Sequence, residues 1–403
     1  MSDLFWPGDE RAGALASDAA WLAAMVRVEQ AWLDALARAA IAPGTVDLAG
    51  IVGPDDLAAL AGAAEDAGNP VPALIARLRA RAPWAHRGLT SQDVVDTSVV
   101  LLLRDVVERV LAELRDQVGS LAAIAEAHRG TVLAGRTLTQ HAVPTTFGLK
   151  AAGWLTGVLD AADALGRVAL PAQFGGAAGT LSAAVDLASL RGFDDPVAAV
   201  RAAVADAAGV LGLRAAPPWQ TTRTTVTALG DALVTCTDAW GRVATDVATL
   251  SRPEIGELAE PAADGRGGSS TMPHKRNPVL SVLIRRAAIT APPLASILHL
   301  AAALTGDERP DGAWHAEWPT LRDLARRTVV AASQTSELLR GLRIDEARMR
   351  ATATTAAAEL GAERRSIAAF AGGEAPTDAC LGVADALVAG VLARAHSYLE
   401  AAR

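Results

Sequence analysis

The sequence predicts an all-α protein built on a bundle of long helices, and three observations predict it. Alanine and leucine dominate a chain of 403 residues that is 51% apolar, with few runs of β-branched residues, a composition that favours helix over sheet. Five stretches are almost free of proline: about 93–128, 145–169, 222–252, 279–304 and 319–341. Each is longer than the roughly 11–12 residues of an average globular helix, as expected of a long-helix bundle. The polar clusters fall in the breaks between these stretches, where functional side chains are commonly carried.

Taken in order, Ser17-Asp18 opens a helix whose apolar positions Trp21, Met25, Val28, Trp32 and Leu36 recur every three or four residues and mark one buried face. Residues 42–88 are broken by Pro43, Gly44, Pro54, Gly62, Gly68, Pro70 and Pro83. They read as short helices and loops, and residues 1–105 as a small helical N-terminal domain. The long stretches define a central domain over 106–341. Within it Pro144 and Pro319 suit helix starts, and Asn277-Pro278 suits an N-cap and first-turn pair for a helix beginning near Val279. The weakly polar run 287–304 carries Pro292, Pro293 and His299, which points to a buried helix with a proline-marked start and not to a membrane span. Residues 342–403 form a short, alanine-rich C-terminal helical domain divided by Gly372-Gly373-Glu374-Ala375-Pro376.

The net charge of −8 argues against a nucleic-acid partner, which would call for a basic stripe. An anionic substrate must then be caught by local cations. Only Cys236 and Cys380 are present, so neither a disulfide framework nor a cysteine metal site is indicated. The N-terminus has no basic region followed by an apolar one. A soluble, cytoplasmic protein without a membrane partner is expected.

Four polar clusters could carry chemistry. In the first, His86 to Asp93 followed by Asp96-Thr97, residues Thr90, Ser91 and Asp93 are possible N-caps. It reads either as a capped helix start beside a surface histidine or as a carboxylate-binding turn using Thr90 and Ser91 hydroxyls. The second, Gly135 to Thr146, offers Thr139, Gln140 and His141 ahead of another helix; a histidine there is an acid/base candidate or is simply structural. The third, Gly267-Gly268-Ser269-Ser270-Thr271-Met272-Pro273-His274-Lys275-Arg276-Asn277-Pro278, packs flexible glycines, hydroxyls and two cations before a helix N-terminus. That suits a carboxylate-rich ligand. A serine acts as a base only when its alkoxide is strongly stabilised; Lys275 lies six residues after Ser269, and loop N–H groups would add to the effect. The fourth, Asp307-Glu308-Arg309-Pro310 through Trp314-His315-Ala316-Glu317-Trp318, is either a pocket lining or a packed helix corner. His315-x-Glu317 lacks a third ligand, so no metal is expected. Phe174 to Thr180 is glycine-rich but follows no strand, which favours a tight turn over a dinucleotide site.

Three polar turns, each introducing a long helix, resemble the signature regions of the fumarase/aspartase superfamily. Gly268 to Pro278 matches the family loop GSSxMPxKxNP, while Thr90-Ser91-Gln92-Asp93 and Arg136 to Pro144 resemble the other two regions in the same order. The branch it most resembles is that of the 3-carboxy-cis,cis-muconate cycloisomerases, through Asp3-Leu4-Phe5, Thr90 to Thr97, Gln173-Phe174-Gly175-Gly176 and Trp314 to Trp318. The adenylosuccinate lyases are the nearest competitor, but they usually read Thr-His-Gly-Gln-His-Ala where this chain has Thr137-Leu138-Thr139-Gln140-His141-Ala142. Leu138 thus replaces a histidine that many relatives use in acid/base roles.

The resemblance implies a fumarase/aspartase-type bundle and reversible elimination beside a carboxylate, or its reverse run as intramolecular addition. It implies Ser269 as the proton carrier, with Lys275 and Asn277 binding the carboxylate on which charge accumulates, and His141 in a catalytic role. His86, Thr90, Ser91, Thr139, Gln140, Ser270, Trp154 and Arg309 complete the expected substrate contacts. It further implies a homotetramer with active sites shared between subunits, a small polycarboxylate substrate, and no metal or organic cofactor. The tail after Leu342-Arg343-Ile344-Asp345 is shorter than the resemblance leads one to expect. A lyase for another succinyl-type substrate and a catalytically retired helical scaffold are the alternatives; the retained Ser269, Lys275, Asn277 and His141 weigh against the latter.

Overall fold

The computed structural model describes residues 3–268, 271–272, 275–374 and 380–401. Fourteen α-helices are found among them: α1 (Asp18–Arg38), α2 (Leu57–Ala67), α3 (Val71–Arg79), α4 (Ser91–Ala127), α5 (Phe147–Gly166), α6 (Ser182–Leu190), α7 (Pro196–Val210), α8 (Thr224–Leu250), α9 (Val279–Ala303), α10 (Gly312–Arg340), α11 (Glu346–Thr355), α12 (Ala357–Leu360), α13 (Ala362–Phe370) and α14 (Ala384–Ala401). Two antiparallel pairs complete the structure: β1 (Val132–Thr137) with β2 (Gln140–Thr146), and the short β3 (Leu258–Ala259) with β4 (Arg343–Ile344). The protein is all-α in class, and the five proline-poor stretches are α4, α5, α8, α9 and α10. The longest, α4, has 37 residues, or about 55 Å at 1.5 Å per residue.

The chain divides into two compact units, one of residues 1–109, 167–232 and 292–329, the other of residues 110–166, 233–291 and 330–403. In the first unit Ser17 caps α1, its side chain accepting the Ala20 N–H at 3.2 Å. The face predicted from spacing is buried: Met25, Val28, Trp32 and Leu36. Leu33, Leu48, Leu74, Leu78, Val94 and Trp314 share one core, and Trp32 stacks on Phe174 with ring centroids 5.5 Å apart. Burial of such side chains contributes about 1.5–3 kcal/mol each.

In the second unit the bundle interior holds a polar group organised on Gln117. Gln117 receives the Trp240 Nε1–H at 2.7 Å on its Oε1 and donates from Nε2 to Ala332 O and Ser336 Oγ at 3.0 and 3.1 Å. Saturating a buried amide in this way removes the penalty of burying it. α14 packs on α5, with Arg394 bridging Asp160 and Asp163, and α11 and α12 pack on the β1–β2 hairpin.

Three proline assignments are corrected. Pro144 lies in β2 opposite Ala134, and helix α5 starts three residues later. Pro319 lies inside α10, in its third turn, and Pro292 and Pro293 lie inside α9. A proline replaces one intrahelical hydrogen bond with a local bend, which a long helix held by side-chain packing tolerates. Helix α9 is also long and apolar enough to cross a membrane by length and composition, with only 33% of its most apolar window buried.

Candidate active site

The turn ahead of α4 is held by a buried carboxylate. Asp93, in the first turn, accepts the N–H of Thr90 at 2.9 Å, of Gly175 at 2.7 Å and of Gly176 at 3.0 Å, and Gln173 Nε2 lies 3.3 Å away. One side chain thus fastens the Thr90-Ser91 turn to the Gln173–Thr180 loop. Burial pushes the Asp93 carboxyl up to about 6, against the four donors, which pull it down. Close approach is built into the backbone: Gly88 has φ +85°, and a Cβ there would lie 2.7 Å from Ala184 Cβ. Thr90 Oγ1 accepts a hydrogen bond from the Arg309 guanidinium. Two expected substrate contacts, Thr90 and Arg309, are therefore neighbours, with Ser91 opening α4 beside them. His86, four residues upstream, has its Nδ1 2.7 Å from Glu29 Oε1.

The fourth cluster resolves as a packed corner. Trp314 Nε1 donates to Asp96 Oδ1 at 2.9 Å, and Arg223 bridges Asp96 and Glu317 through contacts of 2.5–3.2 Å, all buried. Gln92 donates to Asp96 and to Gln220 O. Burial raises the Glu317 carboxyl above its ordinary range, and Arg223 opposes that. Trp314 and Glu317 are thereby committed to structure.

In the second unit, the 135–146 region is a hairpin and not a turn into a helix. Leu138 and Thr139 form its two-residue tip, with φ +47° and +70°. Positive φ at both positions is the type I′ requirement, met here by residues that carry Cβ atoms. Leu138 is 96% exposed. Thr139 and Gln140 are exposed beside it, with Gln140 Nε2 donating to Thr139 Oγ1. His141 Nδ1 lies 3.0 Å from Glu359 of α12. Arg136 makes a bidentate pair with the buried Glu257 at 2.8 and 3.0 Å, which anchors the hairpin. Trp154 is corrected: it is 1% exposed and donates Nε1–H to Asp246 Oδ2 at 2.8 Å, so it belongs to the helical core of the second unit and not to a substrate surface.

The signature loop is closed at its neck by Asn277. Its backbone N–H and its Nδ2 both donate to Gly267 O, at 2.8 and 3.2 Å. Gly267 has φ +69°, and a Cβ there would meet Asn277 O at 2.5 Å, so glycine is required twice over. Ser269, Ser270 and His274 lie outside the described residues. Lys275 is exposed, its N–H bonded to Met272 O at 3.0 Å. The helix N-terminus is not open to a ligand as expected, because Glu260 occupies it. Glu260 Oε2 accepts the Leu280 N–H at 3.0 Å, and its Oε1 accepts the Ser281 N–H and Oγ–H, each at 2.6 Å. The positive groups left at this loop are side-chain cations, Lys275 and Arg276 among them. A cavity of about 480 Å³ beside the neck is lined by Arg266, Arg276, Arg343, Asn277 and Glu260.

Glu29, Glu257 and Glu260 also hold these clusters in place, outside the polar motifs of the sequence. Glu29 carried a signal, a carboxylate four residues from both Met25 and Leu33 on the apolar face of α1. Glu257 and Glu260 lie in an irregular segment where no periodicity distinguishes them. No group of three or more metal-binding side chains occurs among the described residues.

The sequence pattern of the lyase family matches residues 21–292, about two thirds of the chain. The chain belongs to the fumarase/aspartase superfamily. Among its relatives there, a nitrosuccinate lyase of Streptomyces davaonensis is 44% identical over 87% of this chain and 76% of its own length. A 3-carboxy-cis,cis-muconate cycloisomerase of Bradyrhizobium diazoefficiens is 40% identical over 78% of this chain and 72% of its own. The crystal structure of the 3-carboxy-cis,cis-muconate lactonizing enzyme from Pseudomonas putida superposes with a TM-score of 0.76 at 30% identity, covering 95% of this chain and 96% of that one. The chain is thus an enzyme of this superfamily, with a lyase or cycloisomerase reaction.

Proposed function

We propose that the protein forms or breaks a bond between the β-carbon of a small polycarboxylate and a weakly basic anion, and that its reaction is the lactonisation of 3-carboxy-cis,cis-muconate. The observation that carries this reading is Leu138. Many superfamily members have a histidine at that place, and an amine leaves a carbon centre readily only when an acid protonates it. Leu138 has no proton to give. A carboxylate departs as a stable anion and needs none.

In the lactonising direction a substrate carboxylate oxygen bonds to the β-carbon, the alkene π pair moves to the α-carbon, and a proton is added there. Ser269 delivers that proton, while Lys275 neutralises the carboxylate that carries negative charge in the intermediate. Asn277 closes the loop that presents them. Thr90, Ser91, Arg309 and His86 form a second binding group, and Thr139, Gln140 and His141 a third, contributed by different subunits of a cytoplasmic homotetramer that works without metal or organic cofactor. On α9, Val282, Ile289, Ile297 and Leu300 are 39% to 69% exposed. They fall within about 80° on a helical wheel of 100° per residue. An exposed apolar stripe of this kind supports burial against another subunit.

A second reading is favoured by the 44% identity to a nitrosuccinate lyase. Elimination of nitrite from nitrosuccinate gives fumarate, nitrite and one proton, and nitrite is also a weakly basic leaving group. One comparison separates the readings: purified protein incubated with 3-carboxy-cis,cis-muconate, nitrosuccinate, adenylosuccinate and argininosuccinate, each followed by absorbance. Turnover of either of the first two supports the leaving-group argument and chooses between them. Preference for the amine-releasing substrates overturns it, and turnover of none favours a scaffold. Ser269→Ala is expected to abolish turnover while sparing ligand binding; near-normal turnover would remove Ser269 from its role.

A further inference from the structure

Helix α1 sets one carboxylate among its core positions. Glu29 is fully buried; its Oε1 lies 2.7 Å from His86 Nδ1, and its Oε2 is buried with no hydrogen-bond partner. Burying a carboxylate with a bare oxygen is costly, and an apolar side chain would avoid that cost. Apolar packing therefore gives no reason for Glu29; the Arg79 guanidinium is within electrostatic reach of it but donates its hydrogen bonds to backbone carbonyls, and the carboxylate's own contact is His86. His86 is equally unusual, since its backbone sits at φ +61°, a region that residues with a Cβ disfavour.

The segment is pinned in that conformation. Arg79 donates to the carbonyls of Ala85 and His86 at 3.0 and 3.3 Å, and Trp32 Nε1 donates to Arg87 O at 2.7 Å. The strained backbone brings the imidazole onto Glu29 while 14% of it stays exposed, four residues before Thr90. Among the described residues, His86 Nε2 has no protein partner. A carboxylate can only accept, so Nδ1 is the protonated nitrogen and Nε2 is left as a bare acceptor in the neutral ring. The same logic orients the imidazole of a serine-protease triad.

We propose that Glu29 is a positioning residue: it fixes His86 in the tautomer with a free Nε2 and so makes His86 the relay that exchanges the reaction's proton with solvent. The inference rests on the reading that the 86–93 turn belongs to the active site. Both reactions need such an exchange. Lactonisation of the trianion takes up one proton on carbon, and nitrite elimination releases one from carbon. His86 Nε2 gains the proton and gives it up within each turnover, while Glu29 balances the transient imidazolium charge. No net proton remains on the pair.

The test uses the full-length protein in three forms. Glu29→Gln keeps the size of the side chain but offers an amide that can turn either way. It is expected to lower kcat 10- to 100-fold with KM within about twofold and the melting temperature nearly unchanged. In the His86→Gln background, adding Glu29→Gln is expected to change kcat by less than twofold, because Glu29 acts through the imidazole. Nitrogen-15 NMR of histidine-labelled protein, with the His86 signal assigned from its loss in His86→Gln, reads the tautomer without any substrate. The wild type should show Nδ1–H, and Glu29→Gln a mixture. An Nε2–H tautomer in the wild type, unchanged kcat in Glu29→Gln, or losses that multiply in the double variant would each overturn the proposal. If none of the four substrates is turned over, the tautomer still decides the matter of Glu29.

Discussion

Replacing Asp93 with asparagine tests which of two opposed effects governs the Thr90–Ser91 turn. Burial disfavours the ionised carboxylate, while three backbone N–H groups and Gln173 favour it, and burial prevails, raising the pKa from 3.8 to about 6. A shift of roughly two units corresponds to about 3 kcal/mol at 1.36 kcal/mol per unit. The folded state binds the proton more tightly than the unfolded chain. The associated stability is therefore fully present below pH 3.8 and is lost as the pH rises through about 6, with no further change above that window. The amide of the Asp93→Asn variant does not titrate, so the difference between it and the wild type isolates this group from the other carboxylates. The wild type should lose about 2.4 kcal/mol of this relative to the variant between pH 4 and 7, the rest having gone below pH 4. With about 2.1 cal/mol/K of unfolding entropy per residue over 403 residues, that is a relative change in melting temperature of about 3 °C. Calorimetry of both proteins at pH 4, 5, 6 and 7 measures it. Parallel melting curves would refute the reasoning, and a wild type that gains on the variant with rising pH would show that the four donors prevail over burial.

Arg223→Met leaves Asp96 and Glu317 buried together without their cation and should cost on the order of 3–5 kcal/mol in chemical denaturation; adding Asp96→Asn and Glu317→Gln should restore most of it, since no unpaired charge then remains. Glu260→Ala removes three hydrogen bonds at the start of α9 and should cost about 1–2 kcal/mol, with faster amide exchange at Leu280 and Ser281 as the local signature. Ile289→Lys places a charge in the exposed stripe of α9 and should shift the assembly toward smaller species in sedimentation. Leu138→Ala, at a side chain 96% exposed, should change stability by less than about 0.5 kcal/mol.

The helical core is legible in the sequence because its signal is repeated many times. Five proline-poor stretches match α4, α5, α8, α9 and α10 to within a few residues, and α10 alone begins well ahead of its predicted start, because Pro319 has the look of a first-turn residue. The hairpin is not legible, because its turn is made by Leu138-Thr139 and lacks the Asn-Gly or Asp-Gly pair that usually signals φ > 0 at two successive residues. With no turn signal, Pro144 reads as a helix start. The candidate site residues divide along the same line. Thr90 and Arg309 are 219 positions apart, yet each lies in a polar cluster that the pattern exposes, and they are in contact. The carboxylates that hold those clusters in place are invisible, because Glu257 and Glu260 act through pairings that only the folded chain creates. Trp154 misleads for the converse reason: an indole in a long helix looks the same in sequence whether its N–H meets a ligand or Asp246.

The two-residue hairpin tip has a consequence for how an enzyme of this kind changes its chemistry. Any L-residue other than glycine bears much the same backbone strain at position 138, and its side chain touches almost nothing. Substitution there is therefore nearly neutral for folding, whatever it does to catalysis. Exchanging a proton donor for an aliphatic group, or the reverse, meets no resistance from the scaffold. If Leu138 sets the leaving group as proposed, that choice can drift independently of the rest of the chain, and the tip becomes an entry point for redesigning which bond is broken.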